Sequence, residues 1–488
     1  MTHRAPADTV QANILTFVPF GNPNRDEEGH PKTMTVCNIL RGRFSPQSQK
    51  AALRSSSHLG PTGCGIRSRN LAIETFERLG KEGVPERLSF AAAEIVRAGL
   101  GNGQLRTPRD SIEAVVAALL NARKDWRDTV TTAFPQIKLK AAKGAKKGDT
   151  QGDESAEAEE GMNVPALKAA IADMFSPKET GLSYRIGKGA EASWPASWAV
   201  GGGVFAALSG SDEDLSKNLM TAFQADQPLL FSTQEIRWKD DIEHGVIEAW
   251  RTGGPAAVGT KLESVAPGGK VQSPMPKEAI DVDIALFGRM VPSMPEATVE
   301  AALSIDHSMT VGEFQIEADF FTAGEDRPRD GNDKVGHMGH SFWGTGIHHR
   351  YIAIDMNLLR ANLAKGGRAP SDAAEVAERA MAAATVAFAT TLPRGKSANS
   401  ATFSPASFVM IERGGAPATN LSVAFARVIS PDSRDPMAAA IGQLREYKEA
   451  LTRVYGSGQV VEVCAHPGAG VIPGAAPSLA AALVAVSR

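Results

Sequence analysis

Cysteine is scarce in this chain of 488 residues. Cys37, Cys64 and Cys464 are an odd number, far apart and without a CxxC pair, which argues against both a disulfide framework and a thiolate zinc site. A reducing compartment fits better. Long apolar runs are missing too: the most apolar stretch, Leu479 to Val486, is far short of the ~20 residues that a membrane helix needs. The opening residues lack a basic region followed by an apolar one, since Thr16 and Pro19 interrupt the only candidate, so no signal peptide is expected. A cytoplasmic protein without a membrane partner is the expectation. Nor is there an excess of charge: 52 basic against 55 acidic residues leave a net −3, so the chain is no polycation that coats nucleic acid indiscriminately. Any such site must be a local patch. The composition, 42% hydrophobic and 22% charged, excludes wholesale disorder. At ~150 residues per domain the length suggests roughly three domain-sized units.

Catalytic signatures are also lacking. Arg394-Gly395-Lys396-Ser397 ends like a phosphate-cradling loop, but that motif needs a glycine five positions before Gly395, where Thr390 stands. Gly339-His340-Ser341-Phe342-Trp343 fails as a nucleophile elbow, because Trp343 occupies the second glycine position of a sharp turn. Five of the ten histidines (His307, His337, His340, His348, His349) fall in one stretch, and His337 and His340 have ligand-like spacing. No HExxH pattern accompanies them and the cysteines are remote. Surface or hydrogen-bonding histidines are therefore the expectation, with no metal, no cofactor and no catalytic residue.

What is present begins with an apolar, β-prone run at 14–20, read as a strand that leaves into the turn Gly21-Asn22-Pro23. Ser45 before Pro46 places an N-cap ahead of a first-turn proline and predicts a helix to about Ser56. A second helix is expected over 68–79. From Arg41 to Lys81 eight basic residues face two acids, a local +6 inside a net-negative protein. Within it, Arg41 and Arg43 on a strand-like segment and Ser45, Gln47, Ser48, Lys50 and Arg54 around a helix start combine guanidinium forks, hydroxyl and amide donors and free backbone N–H groups. That collection suits phosphates, and phosphate contacts hold a backbone whatever its bases. Segment 138–161 is lysine-rich and then acidic, and reads as a solvated insertion. Gly201 to Gly203 read as a loop, and 229–238 with 242–250 as mostly helical. Residues 280–290 read as a strand or a short buried helix, which periodicity does not separate. Residues 371–391 read as an alanine-rich helix, and Asp435 before Pro436 caps another running to about Tyr455.

At these same residues the sequence resembles the backbone subunit (CasC) of the type I-E Cascade CRISPR surveillance complex. The resemblance runs through Asn24-Arg25-Asp26, Pro31-Lys32, Arg41-Gly42-Arg43-Phe44-Ser45-Pro46-Gln47-Ser48-Gln49-Lys50 and Gly65-Ile66-Arg67-Ser68-Arg69. It continues at Asp283-Ile284-Ala285-Leu286-Phe287-Gly288-Arg289-Met290, Ile305-Asp306-His307-Ser308 and Asp319-Phe320-Phe321-Thr322-Ala323. Residues 346–351, Pro393-Arg394-Gly395-Lys396 and Asn420-Leu421-Ser422-Val423-Ala424-Phe425 complete it. Asp306 and Ser308 stand where the family usually has alanine, Pro46 where it tends to have serine, and Ala51 where it has a second basic residue.

The resemblance implies an α+β protein with an RRM-like (ferredoxin-like) palm, an inserted helical finger region and a thumb hairpin. Residues 1–60, 281–304 and 346–488 would form the palm, 61–280 the finger, with a disordered insertion near 138–161, and 305–345 the thumb. Arg25, Lys32, Arg41, Arg43, Ser45, Gln47, Ser48, Lys50, Arg54, Arg67 and Arg289 would lie at the RNA. Met290, Phe320 and Phe321 would be the apolar wedge that kinks it. Expected partners are CRISPR RNA, target DNA paired with it, further copies in a hexamer-like backbone and other Cascade subunits. No enzymatic activity is expected. The rival reading is a metal-dependent nuclease or RNA-processing enzyme using the thumb-region histidines with Asp306 and Asp319.

Overall fold

The computed structural model describes residues 8–59, 64–101, 228–267, 280–292, 294–324, 335–414, 418–469 and 472–487, with isolated positions and short pieces between them. Segment 138–161 and the loop at 201–203 lie outside the described residues, as does most of the stretch 100–228. The described elements run, in chain order, β1 (Thr9–Gly21), β2 (Thr33–Val36), β3 (Ile39–Phe44), α1 (Pro46–Arg54), β4 (Ile66–Ser68), α2 (Leu71–Lys81), α3 (Glu86–Gly99), β5 (Tyr184–Ile186), β6 (Ala190–Ala192) and β7 (Leu229–Phe231). There follow α4 (Thr233–Val265), α5 (Val282–Phe287), β8 (Leu303–Ile305), β9 (Ser308–Thr310), β10 (Glu317–Gly324), β11 (Val335–Asp355), α6 (Met356–Lys365), α7 (Pro370–Thr390), β12 (Phe408–Arg413), α8 (Pro436–Tyr455) and β13 (Gln459–Cys464). Two compact units divide them: Met1–Cys64 with Ile280–Arg289 and Val299–Arg488, and Gly65–Ala279 with Met290–Thr298.

The first unit is a mixed α+β structure around an antiparallel sheet ordered β13-β12-β1-β11-β9-β3-β2, with β8 and β10 also paired to β11. Its centre is β1, which pairs with β11 from Thr9↔Asp355 to Gly21↔Gly344 and with β12 on its other edge. Every β1 residue from Val10 to Thr16 is buried, so the strand must lie between two layers. On one face Leu15 joins Phe408, Met410, Phe425, Ile441 and Leu444 in a core that α8 closes. Ile14 points the other way: Arg350, directly opposite it on β11, stands 4.2 Å over the Phe388 ring of α7. Alanines at 373, 377, 380, 384 and 387 recur every three or four residues along α7 and are all buried, a stripe of minimal side chains that brings the helix close to its neighbours.

Local chemistry sets several boundaries. The Ser45 hydroxyl accepts the Ser48 N–H and Pro46 opens α1; Asp435 accepts the Ala438 N–H at 2.9 Å and Pro436 opens α8. Within 280–290, residues 282–287 form the helix α5, not a strand. Val282 to Leu286 are all buried, and Gly288 at φ 75° ends the helix where an added Cβ would lie 2.9 Å from the Val299 carbonyl oxygen. The helix expected over 68–79 is α2, which starts later, at Leu71, for a tertiary reason. Ile66–Ser68 pairs instead with Leu229–Phe231, a match that Gly65 permits because any Cβ there would strike the Phe231 carbonyl. The helix expected over 229–238 likewise starts late: Ser232 and Glu235 form a reciprocal capping box that opens α4.

The second unit packs α2, α3 and α4 around Phe76, Phe90, Ile95, Val246 and Leu262, with Phe223 meeting Phe90 at 4.6 Å edge to face. Its buried Glu243 is held by Thr75 Oγ1 at 2.6 Å, Arg78 Nη1 at 2.7 Å and Lys239 Nζ at 2.8 Å. Among the described residues no helix is long and apolar enough to cross a membrane. The three cysteines are free thiols.

The alanine stripe predicts that Ala384→Leu, which forces extra methylenes into a filled helix–sheet contact, lowers stability by ~1–3 kcal/mol. A reduced urea midpoint checks it, and an unchanged midpoint contradicts the close approach.

Candidate nucleic-acid interface

The sequence-predicted residues of the first unit gather at the corner where β3 runs into α1. Asn24 Oδ1 accepts the Ser45 N–H at 2.8 Å, so a residue from the turn after β1 fixes the start of the helix. Among the first-turn donors, Pro46 has no N–H, that of Ser48 goes to the Ser45 hydroxyl and that of Gln49 to the Ser45 carbonyl. Gln47, itself exposed, keeps its N–H toward solvent at the positive end of the helix. Ser48 Oγ turns back onto the Ser45 carbonyl at 2.8 Å. Arg43 is half-buried at the rim, its Nε–H donating to the Thr33 carbonyl at 2.9 Å and its Nη1 lying 3.1 Å from His307 Nδ1. Lys50 is half-buried, and burial pulls its ammonium below the usual lysine range. Arg25 is exposed and Lys32 half-buried beside them. Among the described residues none of these four cations has a carboxylate partner.

Three arginines depart from the phosphate-contact expectation. Arg41 lies two residues from Arg43 on the same strand, yet it is fully buried. Its guanidinium donates to the carbonyls of Thr310 at 2.9 Å, Gly312 at 3.1 Å and Phe425 at 2.9 Å. It ties β3 to β9 and to the loop that follows β12. Arg54 turns inward, its Nε–H donating at 2.9 Å to the fully buried Asp283 carboxylate of α5. Arg289 is 6% exposed and its backbone bridges to Val299. Arg67, in the second unit, is exposed on β4. Of the wedge residues, Phe320 and Phe321 sit on the hairpin of β10 and β11, 56% and 39% exposed, with Phe320 opposite His340 at 5.3 Å between rings. Met290, in the second unit, is 69% exposed.

Sequence reasoning did not single out the residues beneath the corner. Buried Gln49 donates its amide to the Asp306 carbonyl at 2.9 Å and accepts the Arg350 Nε–H at 3.1 Å. Asn420 holds the Asp306 carboxylate, and the Ser308 hydroxyl accepts the Phe44 N–H at 2.9 Å. The turn that carries His307 is thereby clamped from three directions. Arg350 has no carboxylate partner among the described residues, and burial pulls it down to about 9. Only a partner far along the chain distinguishes Gln49 from Gln47, and no local spacing reports it.

The histidine stretch has several environments. His348 stacks on Phe44 with ring centroids 4.3 Å apart and lies 3.1 Å from Ser308 Oγ. His349 points to the opposite face, where its Nε2–H donates to Asn13 Oδ1 at 3.1 Å. Burial pushes both down to about 3, aided for His348 by the Arg350 charge. His307 is exposed on its turn and His340 on the hairpin. Among the described residues no group of three or more His, Cys, Asp or Glu side chains is placed to hold a metal ion.

Fold and site together define an α+β protein with a large antiparallel sheet, a cationic helix-start corner and an aromatic hairpin. Residues 10–179 and 191–482 match the model of the CT1975-like proteins, and the chain belongs to that family. No curated protein matches it. Among solved structures, a chain of a "CRISPR RNA-guided surveillance complex, pre-nicking" superposes with a TM-score of 0.60 at 19% identity, over 98% of this chain and 100% of that one. The two share a fold. A chain of a "CRISPR RNA-guided surveillance complex" gives a TM-score of 0.47 at 15% identity, over 98% of each chain.

The buried histidines carry a pH prediction. The unfolded chain takes up both protons near 6.5 and the folded chain only near 3, so their contribution is intact above about 6.5 and is lost as pH falls. The expected slope is up to ~1.4 kcal/mol per pH unit for each. Urea midpoints at pH 7 and pH 5 measure it, and His349→Gln halves the difference; equal midpoints in the parent protein contradict neutral burial.

Proposed function

We propose that this protein is a non-enzymatic, CRISPR RNA-binding scaffold of a type I-E Cascade surveillance complex. Copies of it line up along the guide as a helical, hexamer-like backbone and present the RNA for pairing with target DNA. The sheet of the first unit serves as an RRM-like palm, the second unit belongs to the finger region, and the β10–β11 hairpin acts as the thumb. Cytoplasmic location and contacts with other Cascade subunits belong to the same reading. Family membership and the shared fold with a chain of an RNA-guided surveillance complex support it.

The observation that carries the reading is the β3–α1 corner. Arg43 and the partly desolvated Lys50 stand there without a carboxylate partner among the described residues, beside the open Gln47 N–H. A half-buried cation lacking a counter-charge gains most from an anion that brings its own, and a phosphodiester does so at each nucleotide. Arg25, Lys32 and Ser48 extend the corner, and Arg67 adds a cation on the second unit. Arg41 and Arg54 act from below, holding the backbone that presents the others. The exposed Phe320 and Phe321 rings of the first unit and, on the second unit, Met290 each insert into the RNA, where unstacking costs a few kcal/mol per step and apolar insertion offsets it. Sequence is then read by base pairing, not by this chain.

Co-expression with CRISPR RNA and the other presumed subunits, followed by size exclusion and ribonuclease treatment, tests the reading. A large particle with protected RNA supports it, and a free monomer without RNA overturns it. Two further outcomes are specific. Arg43→Gln/Lys50→Gln removes two phosphate contacts, so the slope of log K against log salt for single-stranded RNA flattens by about 1.4. Arg41→Gln instead lowers the urea midpoint, since the buried Thr310 and Phe425 carbonyls lose the guanidinium that donates to them. Phe320→Ala/Phe321→Ala and Met290→Ala reduce ordered assembly more than affinity for bare RNA; equal losses of both contradict the wedge.

A further inference from the structure

A second basic and aromatic surface, on the loop 393–403 of the first unit, is not used by the corner described above. Between Glu378 and Glu412 the sequence holds no acidic residue. Within that span Arg394 is exposed, and Lys396 sits in the left-handed region at φ 47° with its Nζ 3.2 Å from Ser341 Oγ and 5.0 Å over the Trp343 ring. Neither cation has a carboxylate partner among the described residues. The loop is anchored to the end of β1: the Gly395 N–H donates to the Pro23 carbonyl at 2.9 Å, and any Cβ at Gly395 would strike that same carbonyl. Thr402 packs against Gly21 just as closely. Two rings stand out of this seam, Phe403 at 72% exposure and Phe20 at 45%, the latter 6.2 Å from Trp343.

We propose that the loop 393–403, with Phe20, is a second contact for a single nucleic-acid strand, on which Arg394 and Lys396 meet phosphates and the rings of Phe403 and Phe20 stack on bases. The charge argument selects the occupant. Two cations and several hydroxyls, with no acid within the loop itself and no carboxylate partner for either cation among the described residues, suit a polyanion, and exposed aromatic rings are the platform on which unpaired bases stack in a sequence-tolerant way. The rigid mounting fits the same purpose. A left-handed Lys396 is a strained choice for a side chain, and here it sets the ammonium on the Trp343 face. Continuity with the first site follows from the chain: Pro23 holds the loop, and its neighbour Asn24 holds Ser45 at the start of α1. The inference rests on the RNA-binding reading and extends the strand's path from the helix start toward the base of the hairpin.

Binding of fluorescent oligouridine by the full chain across a potassium chloride series tests it. Arg394→Gln/Lys396→Gln is expected to flatten the salt slope by about 1.4, and Phe403→Ala to weaken binding roughly five- to hundredfold. Phe403 is largely exposed, so its variant keeps the urea midpoint of the parent; if the double variant does not, Arg394→Gln alone is expected to flatten the slope by about 0.7. Parent-like binding by the loop variants, with Arg43→Gln/Lys50→Gln still flattening the slope, overturns the second contact and leaves the first reading standing. Absence of salt-dependent binding by the parent protein overturns both. Loop variants that bind RNA like the parent but fail to enter the assembled particle mark the loop as a protein-docking surface and also overturn the proposal.

Discussion

Burial on both faces of β1 over 10–16 and of β11 over 347–354 is the constraint from which the rest of the first unit follows. A strand covered by helices on each side leaves little water for its polar side chains, and on β1 the buried Gln11 and Asn13 find partners inside the protein whereas the Thr16 hydroxyl has none among the described residues. These partners lie on the neighbouring strands and on one distant loop. Gln11 donates to Glu412 at 2.8 Å and accepts from the Tyr351 hydroxyl and the Thr419 N–H. Asn13 accepts from His349 and from the Leu421 N–H. The sheet centre thereby fixes the loop that carries Asn420, and Asn420 in turn holds Asp306.

On β11 the consecutive residues His348, His349 and Arg350 alternate between the two faces, as a strand demands. His348 reaches Ser308 and Arg350 reaches Gln49, so two of the three end beneath the turn of His307 and the start of α1. The cationic corner is mounted on buried polar contacts and not on flexible surface side chains. This arrangement fixes the helix start that carries the half-buried Lys50, which has no carboxylate partner among the described residues. It also explains why burial depresses three basic groups in a row: neutral imidazoles and a π-stacked guanidinium cost less to desolvate than isolated full charges.

The basic residues consequently serve two different ends. Arg41, Arg54 and Arg350 spend their donors on backbone carbonyls, a buried carboxylate and an amide oxygen, and they stiffen the frame. Arg25, Arg43, Lys32 and Lys50 remain at or near the surface beside them. A patch that holds a polyanion needs both kinds, because cations left mobile lose side-chain entropy on binding that pre-positioned ones have already lost.

Much of this was legible in the amino-acid order alone, wherever the cause is local. Ser45 with Pro46 and Asp435 with Pro436 mark helix starts by their own chemistry, and the alanine-rich run before Thr390 marks a helix whose small face must pack closely. The lack of disulfides was likewise legible in the spacing of the three cysteines, and the concentration of positive charge from Arg41 to Lys81 in the sequence itself. The α+β class came from the distributed resemblance. Only the tertiary structure decided which cations face outward, because Arg41 and Arg43 have the same local sequence environment and differ in what lies 264 to 384 positions away: three carbonyls for one, a histidine at the rim for the other. The same holds for the helix at 282–287, where burial on all sides settles what periodicity leaves open, and for β4, which pairs with a segment far along the chain. Local sequence specifies caps and turns; contacts between distant segments specify burial, and burial determines whether a charged group supports the frame or meets a ligand.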